Sequence, residues 1–189
     1  MHKKKKHNGK YDTPKALGVK WQLNVKYVPA TCYFGNDGEK FYQYTIIDEA
    51  DRECFIYPYK EQSVYSAVDF VKRAILYFGY APKIIPTDND SEFCNISKTP
   101  RIHTFDWLCT QLHIHHKTIR PRTPWHNGKV ERSRRNDQER FYNHLKFYSY
   151  EDLIVQMKRY LRRSNNIPMA VLGWETSLQK QKKLESKPA

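Results

Sequence analysis

The chain has 189 residues, with 33 Lys+Arg against 20 Asp+Glu and a formal net charge of +13. That length suits one globular domain with short appendages. Aromatic residues at 14% exclude global disorder, and no apolar run reaches the roughly 18 residues of a bilayer span, so membrane, collagen and coiled-coil classes are excluded. The excess charge is clustered. The opening MHKKKKHNGK holds five lysines and no acid, residues 115–140 hold eight basic side chains against three acidic ones, and the closing QKQKKLESKPA is basic again. Such clusters are the electrostatic footprint of a polyanionic partner, nucleic acid above all. Cys32, Cys54, Cys94 and Cys109 show no CxxC spacing, which points to four partly buried thiols in a reducing cytosol rather than zinc ligands or disulfides.

In chain order, Val19–Pro29 alternates around Trp21, Leu23, Val25 and Tyr27 and predicts a strand. After the turn cluster at 35–38, Phe41–Ile47 and Cys54–Tyr59 predict two more strands, joined through Asp48–Arg52 in an antiparallel meander. Val64, Ala67, Val68, Val71, Ile75 and Phe78 then fall at helical spacing, with Gly79 as the stop. Pro82–Pro86 predicts a short buried strand. Ile102, Phe105, Leu108, Cys109 and Leu112 mark a second helix, and Ile114–Thr118 a parallel strand beyond it. Pro121 and Pro124 impose an extended loop. A polar helix is expected over about Gly128–Phe147, then an amphipathic one built on Leu153, Ile154, Met157, Tyr160 and Leu161. This order describes one α/β domain with a mixed five-stranded sheet, three antiparallel strands and then parallel ones, flanked by helices. Residues 1–18 are expected to be a basic flexible segment, 19–178 the core and 179–189 a basic tail.

Three segments combine carboxylate or amide groups with special backbone: Asn24 in WQLNVKYV, Asp88 in TDNDSEF at Thr87–Phe93, and Glu131 in TPWHNGKVER at Thr123–Arg132. Taken singly, each has a structural reading. Asn24 can be a polar strand residue, Asp88 an Asx-turn, and Glu131 part of a helix cap that starts at Gly128. Strand ends and helix starts converge on one edge of such a sheet, so the three can also build one site.

Together, in this order, the three segments resemble the catalytic core of retroviral-integrase-like DDE transposases, bacterial insertion-sequence transposases in particular. Asn165-Asn166-Ile167-Pro168 and Leu172-Gly173-Trp174 resemble the segment that closes such cores, so the likeness covers about residues 19–178. The resemblance implies an RNase H-like fold and a DNA transposase/integrase activity, with end cleavage and strand transfer by in-line phosphoryl transfer. It implies Mg²⁺, with Mn²⁺ as a substitute, at a two-ion site formed by three carboxylates. Asp88 stands as the second carboxylate and Glu131 as the third, while Asn24 occupies the first position, where the family has Asp. Two divalent ions a few ångströms apart need that charge. The chain as written is therefore expected to be inactive, and restoring Asp at position 24 to complete the site. Asp48, at the end of the next strand, reads as a turn cap rather than a replacement. Asp90 stands where the family has Gly.

Lys117, Arg120, Arg122, His126, Asn127, Lys129, Arg132 and Arg135 are the expected DNA contacts, with His126 and Asn127 either orienting the scissile phosphate or capping the helix. Implied partners are transposon ends and target DNA, and a second copy of the chain in a homo-oligomer of the full-length protein. The expected location is the cytoplasm or nucleoid, with no membrane partner. The competing function class is a non-catalytic nucleic-acid-binding domain derived from such a core. A metal-dependent nuclease on the same fold is a third reading.

Overall fold

The structure, a computed structural model, describes residues 13–35, 38–95, 101–119 and 128–186, with Gly128 and Glu131 described at the backbone. Strands β1 (Trp21–Tyr27), β2 (Tyr42–Asp48) and β3 (Cys54–Tyr59) form the antiparallel meander that the alternation predicts. Helix α1 (Val64–Phe78) follows. The Ser63 side chain caps its start, accepting from the Ser66 N–H, and Gly79 ends it at φ +78°, a conformation glycine adopts without a Cβ clash. Strand β4 (Ile84–Thr87), helix α2 (Thr104–Gln111) and strand β5 (His115–Thr118) make a parallel β-α-β unit. A parallel bridge between Lys20 and Ile84, with the Lys83 N–H donating to Gly18 O at 2.7 Å, joins the two ladders. The sheet order is thus β3-β2-β1-β4-β5, three antiparallel strands continued by two parallel ones.

Alternation along the strands sorts side chains between two helical layers. Trp21, Tyr44 and Phe55 face α1, where Trp21 meets Phe78 at 4.7 Å between ring centroids and Phe55 stacks on Phe70 at 5.4 Å. The opposite face carries α3 (Gly128–Asp137) and α4 (Tyr150–Asn165). The helix expected to run on to Phe147 ends earlier. One π-helical turn over Gln138–Tyr142 closes it, and Phe147 instead joins the backbone near Cys32, its N–H donating to Cys32 O. The wider turn points Phe141 onto Tyr160, stacked at 4.6 Å, while the Tyr142 hydroxyl donates to Gln43. Two aromatic residues buried on adjacent positions could not both face the sheet from a regular α-helix. Residues 177–185, inside a stretch whose charge reads as tail, form α5 (Ser177–Glu185), which starts from a capping box between Thr176 and Gln179. The four cysteines are free thiols, with Cys32, Cys54 and Cys109 buried.

The β2–β3 turn is unusual in burying Asp48, Glu49, Asp51 and Glu53 together. Asp48 anchors it: one carboxylate oxygen accepts from the Gly18 N–H at 2.8 Å, the Trp21 indole at 3.0 Å and the Tyr80 hydroxyl at 3.1 Å. Asp51 Oδ1 accepts from the Glu53 N–H at 2.8 Å, but its Oδ2 has no hydrogen-bond partner among the described residues. Burial pushes its carboxyl up to about 8, against the Glu53 N–H and with Asp48 and Glu53 adding their charge. A carboxyl raised in the folded state contributes full stability below its unfolded value of 3.8 and loses it as pH rises through 8. Asp51→Asn keeps the Oδ1 acceptor and removes the charge. Its stability gain over the parent should grow between pH 4 and 8 and level off at about 2 kcal/mol, or about 6 °C in Tm. Parallel Tm profiles for the two proteins across that window would contradict a buried, titrating Asp51.

Candidate active site

The bridge between Lys20 and Ile84 sets the geometry of the site. The bridge sets β4 alongside β1, and counted from it Asn24 and Asp88 stand at equivalent positions, four residues further along and on the same face of the pleat. That face is the one α3 covers. Gln22 Oε1 accepts from the Val130 N–H at 3.1 Å, and Lys26 Nζ donates to Gln138 Oε1 at 2.9 Å. These two contacts bracket Asn24, which is buried at 6% exposure, and hold the helix over it. Asn24 Oδ1 accepts from the Val25 N–H at 2.9 Å, so the amide contributes no charge and has one oxygen lone pair engaged.

Asp88 follows the last residue of β4. Its Oδ1 faces the Asp90 N–H at 3.4 Å, and Asp90 O accepts from the Phe93 N–H at 3.0 Å, the tight turn that Asp-Asn-Asp-Ser predicts. Burial raises the Asp88 carboxyl to about 6. The Asp90 and Glu92 charges add to the rise, while the Asp90 N–H and the Arg134 charge oppose it. Glu92 is itself buried, raised by burial and held by the Gln62 amide at 2.5 Å. Burial lowers Lys26, and the Arg134 charge adds to that against Asp137, so one guanidinium on α3 acts on both Lys26 and Asp88.

Behind Asp88 runs a chain of contacts that sequence reasoning missed. Asp106 Oδ1 lies 2.5 Å from His116 Nδ1, His116 Nε2 lies 2.7 Å from Thr87 Oγ1, and that hydroxyl lies 3.0 Å from Asp88 O. Asn89 adds a bond to Ile119 O at 3.0 Å. The chain ties α2, β5 and β4 together immediately under the carboxylate. HIHHKT carries no signal for it, because which of its three histidines reaches β4 depends on the strand register. The start of α3 is fixed by Glu49, fully buried, which receives the Gln22 amide at 2.7 Å, Lys20 at 3.1 Å and Lys129 at 2.5 Å. Its end is fixed by Asp137, which receives the Gln43 amide and the Tyr160 hydroxyl, both at 2.8 Å.

Glu131 takes part in α3 one turn before Arg134; its side chain lies outside the described residues. Of the expected DNA contacts, Lys117, Arg132 and Arg135 are exposed on β5 and α3, whereas Lys129 is turned onto Glu49. Arg120, Arg122, His126 and Asn127 lie outside the described residues, as do residues 1–12 of the basic segment. Asp48 pairs with Trp21 at the far end of β1 and is consumed by its anchoring bonds, which leaves it no part in this cleft.

Carboxylate oxygens such as those of Asp88 are the ligands that a divalent cation takes. The pair of ions is a different matter. Among the described residues no group of three or more His, Cys, Asp or Glu side chains is placed to hold a metal, and Asn24 brings no charge to bridge two cations.

Two families, each described as integrase core domain, match the chain, one over residues 15–124 and the other over residues 112–167. "Putative integrase ORF3" of Spiroplasma virus SpV1-C74 is 34% identical over 165 residues, covering 80% of this chain and 41% of its own length. The chain thus spans about two fifths of that relative. Among solved structures, the simian T-cell lymphotropic virus intasome in complex with PP2A regulatory subunit B56 gamma superposes with a TM-score of 0.71 at 18% identity, over 95% of this chain and 60% of that one. The HTLV-2 integrase catalytic core domain in complex with magnesium, in its trimeric form, gives 0.63 at 19% identity over 88% and 97%. At these identities the structures establish the fold, a mixed sheet of the RNase H-like kind.

Proposed function

The chain belongs to the integrase core domain family, and from that premise we propose that it is the catalytic core of a DNA transposase or integrase whose first acidic position is vacated by Asn24. What supports the reading is that Asn24 and Asp88 are each four residues on from the Lys20–Ile84 bridge, with α3, the helix that contains Glu131, packed on β1. The reaction would be an in-line displacement at a DNA phosphate by a hydroxyl, first water and then a DNA end. Mg²⁺, or Mn²⁺ in its place, would activate the attacking oxygen and stabilise the leaving one. Asp88 and Glu131 would hold the metal. Asn24 would keep the shape of the missing ligand without its charge. Lys117, Arg132 and Arg135, with Arg120, Arg122, His126 and Asn127, would guide the DNA backbone, and a second copy of the chain would complete the assembly.

Asn24 favours a second reading for the molecule as it stands, a core that binds DNA and does not cut it. Calorimetric titration with Mn²⁺ separates the parts of the proposal. Asn24→Asp should bind at least ten-fold tighter than the parent, and Glu131→Gln and Asp88→Asn in that background should each return it to parental affinity or below. Equal binding by all four proteins would remove the metal site from this cleft. If Asn24→Asp gains metal but DNA binding persists without turnover, the binding-domain reading stands.

A further inference from the structure

Asp88 is poorly held by bonds of its own. Among the described residues its carboxylate meets one donor, the Asp90 N–H, and at 3.4 Å that contact is longer than an ordinary N–H···O bond. The sheet does not hold it either, since the pairing of β4 with β5 ends at Thr87, opposite Thr118. The residues on both sides are tied to the chain just past β5: Thr87 O accepts from the Ile119 N–H at 2.8 Å, and the Asn89 amide donates to Ile119 O at 3.0 Å. Asp88 between them is fixed by the Thr87 hydroxyl, which donates to Asp88 O at 3.0 Å. That bond closes a ring through χ1 and ψ of Thr87 and through φ and ψ of Asp88. It therefore sets the direction in which the Asp88 side chain leaves the backbone. Thr87 is β-branched, so its χ1 has few positions to choose from.

The hydroxyl is placed in turn by His116. A hydroxyl has one proton, and with that proton on Asp88 O the Thr87 oxygen accepts from His116 Nε2–H at 2.7 Å. Asp106, which as a carboxylate only accepts, takes the Nδ1–H at 2.5 Å. Both ring nitrogens then carry protons, and the Asp106 carboxylate lies beside the charge this gives the ring. Phe105 meets the imidazole edge to face at 5.0 Å between centroids, and the His116 side chain is only 6% exposed. A buried ring engaged at both nitrogens and packed against a phenyl group has one orientation open to it. Thr87 is fully buried, so this carboxylate–imidazole–hydroxyl series presents no nucleophile to a substrate.

We propose that His116, held by Asp106, is a positioning residue for Asp88: through the Thr87 hydroxyl it fixes the backbone from which the Asp88 carboxylate enters the cleft. That the carboxylate serves a metal rests on the proposed function; that His116 sets its direction does not.

The test takes two measurements on the whole chain. Without metal, the backbone ¹³C resonance of the Asp88 carbonyl in the parent reports the bond from Thr87. In the Asn24→Asp chain, calorimetric titration with Mn²⁺ reports the placement of the carboxylate. Thr87→Val keeps the shape and removes the hydroxyl, and His116→Phe keeps a ring and removes its donors. Both should move the Asp88 resonance and weaken Mn²⁺ about ten-fold, the low end of what losing an outer partner of a metal ligand costs. Thr87→Ser, which retains the hydroxyl, and His116→Gln, which retains a donor, should recover most of both. Asp106→Asn, at a half-buried position, should give a smaller change of the same sign in each, and answers the question if His116→Phe does not fold. Thr87→Ser as damaging as Thr87→Val would assign the effect to packing and overturn the proposal. An Asp88 resonance unmoved in the His116 and Asp106 variants would overturn it too, whatever metal Asn24→Asp gains. If Asn24→Asp gains no Mn²⁺ affinity while that resonance still follows His116, the proposed function fails and the positioning stands.

Discussion

Asn24→Asp is expected to raise metal-dependent strand transfer on end-bearing DNA by on the order of a thousand-fold over the parent chain. The size follows from electrostatics. A carboxylate about 4 Å from a divalent ligand site contributes about 4 kcal/mol per unit charge at an effective dielectric near 20, and 1.4 kcal/mol is ten-fold. The surroundings already suit the change. Asn24 and Asp are nearly isosteric, the Val25 N–H that Asn24 Oδ1 accepts would serve a carboxylate as well, and Arg134 on α3 offers a positive charge to a cleft that holds Asp88, Asp90 and Glu92. Gln22 and Lys26 keep α3 in place whatever stands between them. Asn24→Ala separates shape from charge: it should be as inactive as the parent, and Asn24→Glu, one methylene too long, should recover a small part of the gain. Turnover in the parent equal to that of Asn24→Asp would show that the first acidic ligand comes from elsewhere.

The strands and α1 were legible because one physical signal dominated each. Trp21, Leu23 and Val25 alternate, and Val64 to Phe78 repeat at helical spacing, since one face of each element is buried. Joining Asn24 and Asp88 in one site is a reading by family resemblance, because an Asx-turn and a metal carboxylate look alike in sequence; the structure has Asp88 facing the Asp90 N–H, as the Asx-turn requires. What was not legible depends on pairing between distant segments. The bridge of Lys20 with Ile84, the reach of His116 to Thr87, and the burial of Glu49 beneath two lysines all arise when chain separated by tens of residues is brought into register. The polar run 128–147 misled for a related reason. Its charged surface residues gave the helical signal, while the end of the helix was decided by where Phe141 and Tyr142 could find Tyr160 and Gln43.

In the Asn24→Asp chain, Mn²⁺ affinity should fall by about ten-fold for each pH unit below the Asp88 titration, which lies at about 6 in the parent and which the added carboxylate moves upward. The cause is Asp88, whose carboxyl burial holds at about 6: a metal competes with a proton for it, and below that value the proton prevails. The same shift sets a stability signature. A carboxyl raised in the folded state contributes its full stability below the unfolded value of 3.8 and loses it as pH rises through 6, so the apo protein carries an unfavourable charge at neutral pH. A bound cation relieves that charge. Mn²⁺ should therefore raise Tm at pH 7 and leave it nearly unchanged at pH 5. Asp90 supplies the test of cause, since its charge is the largest electrostatic contribution after burial. Asp90→Gly removes that charge and should move both the affinity midpoint and the Tm response to lower pH. A midpoint that stays in place in Asp90→Gly would assign the titration to another group, and a flat affinity from pH 5 to 8 would mean that Asp88 does not meet the metal at all.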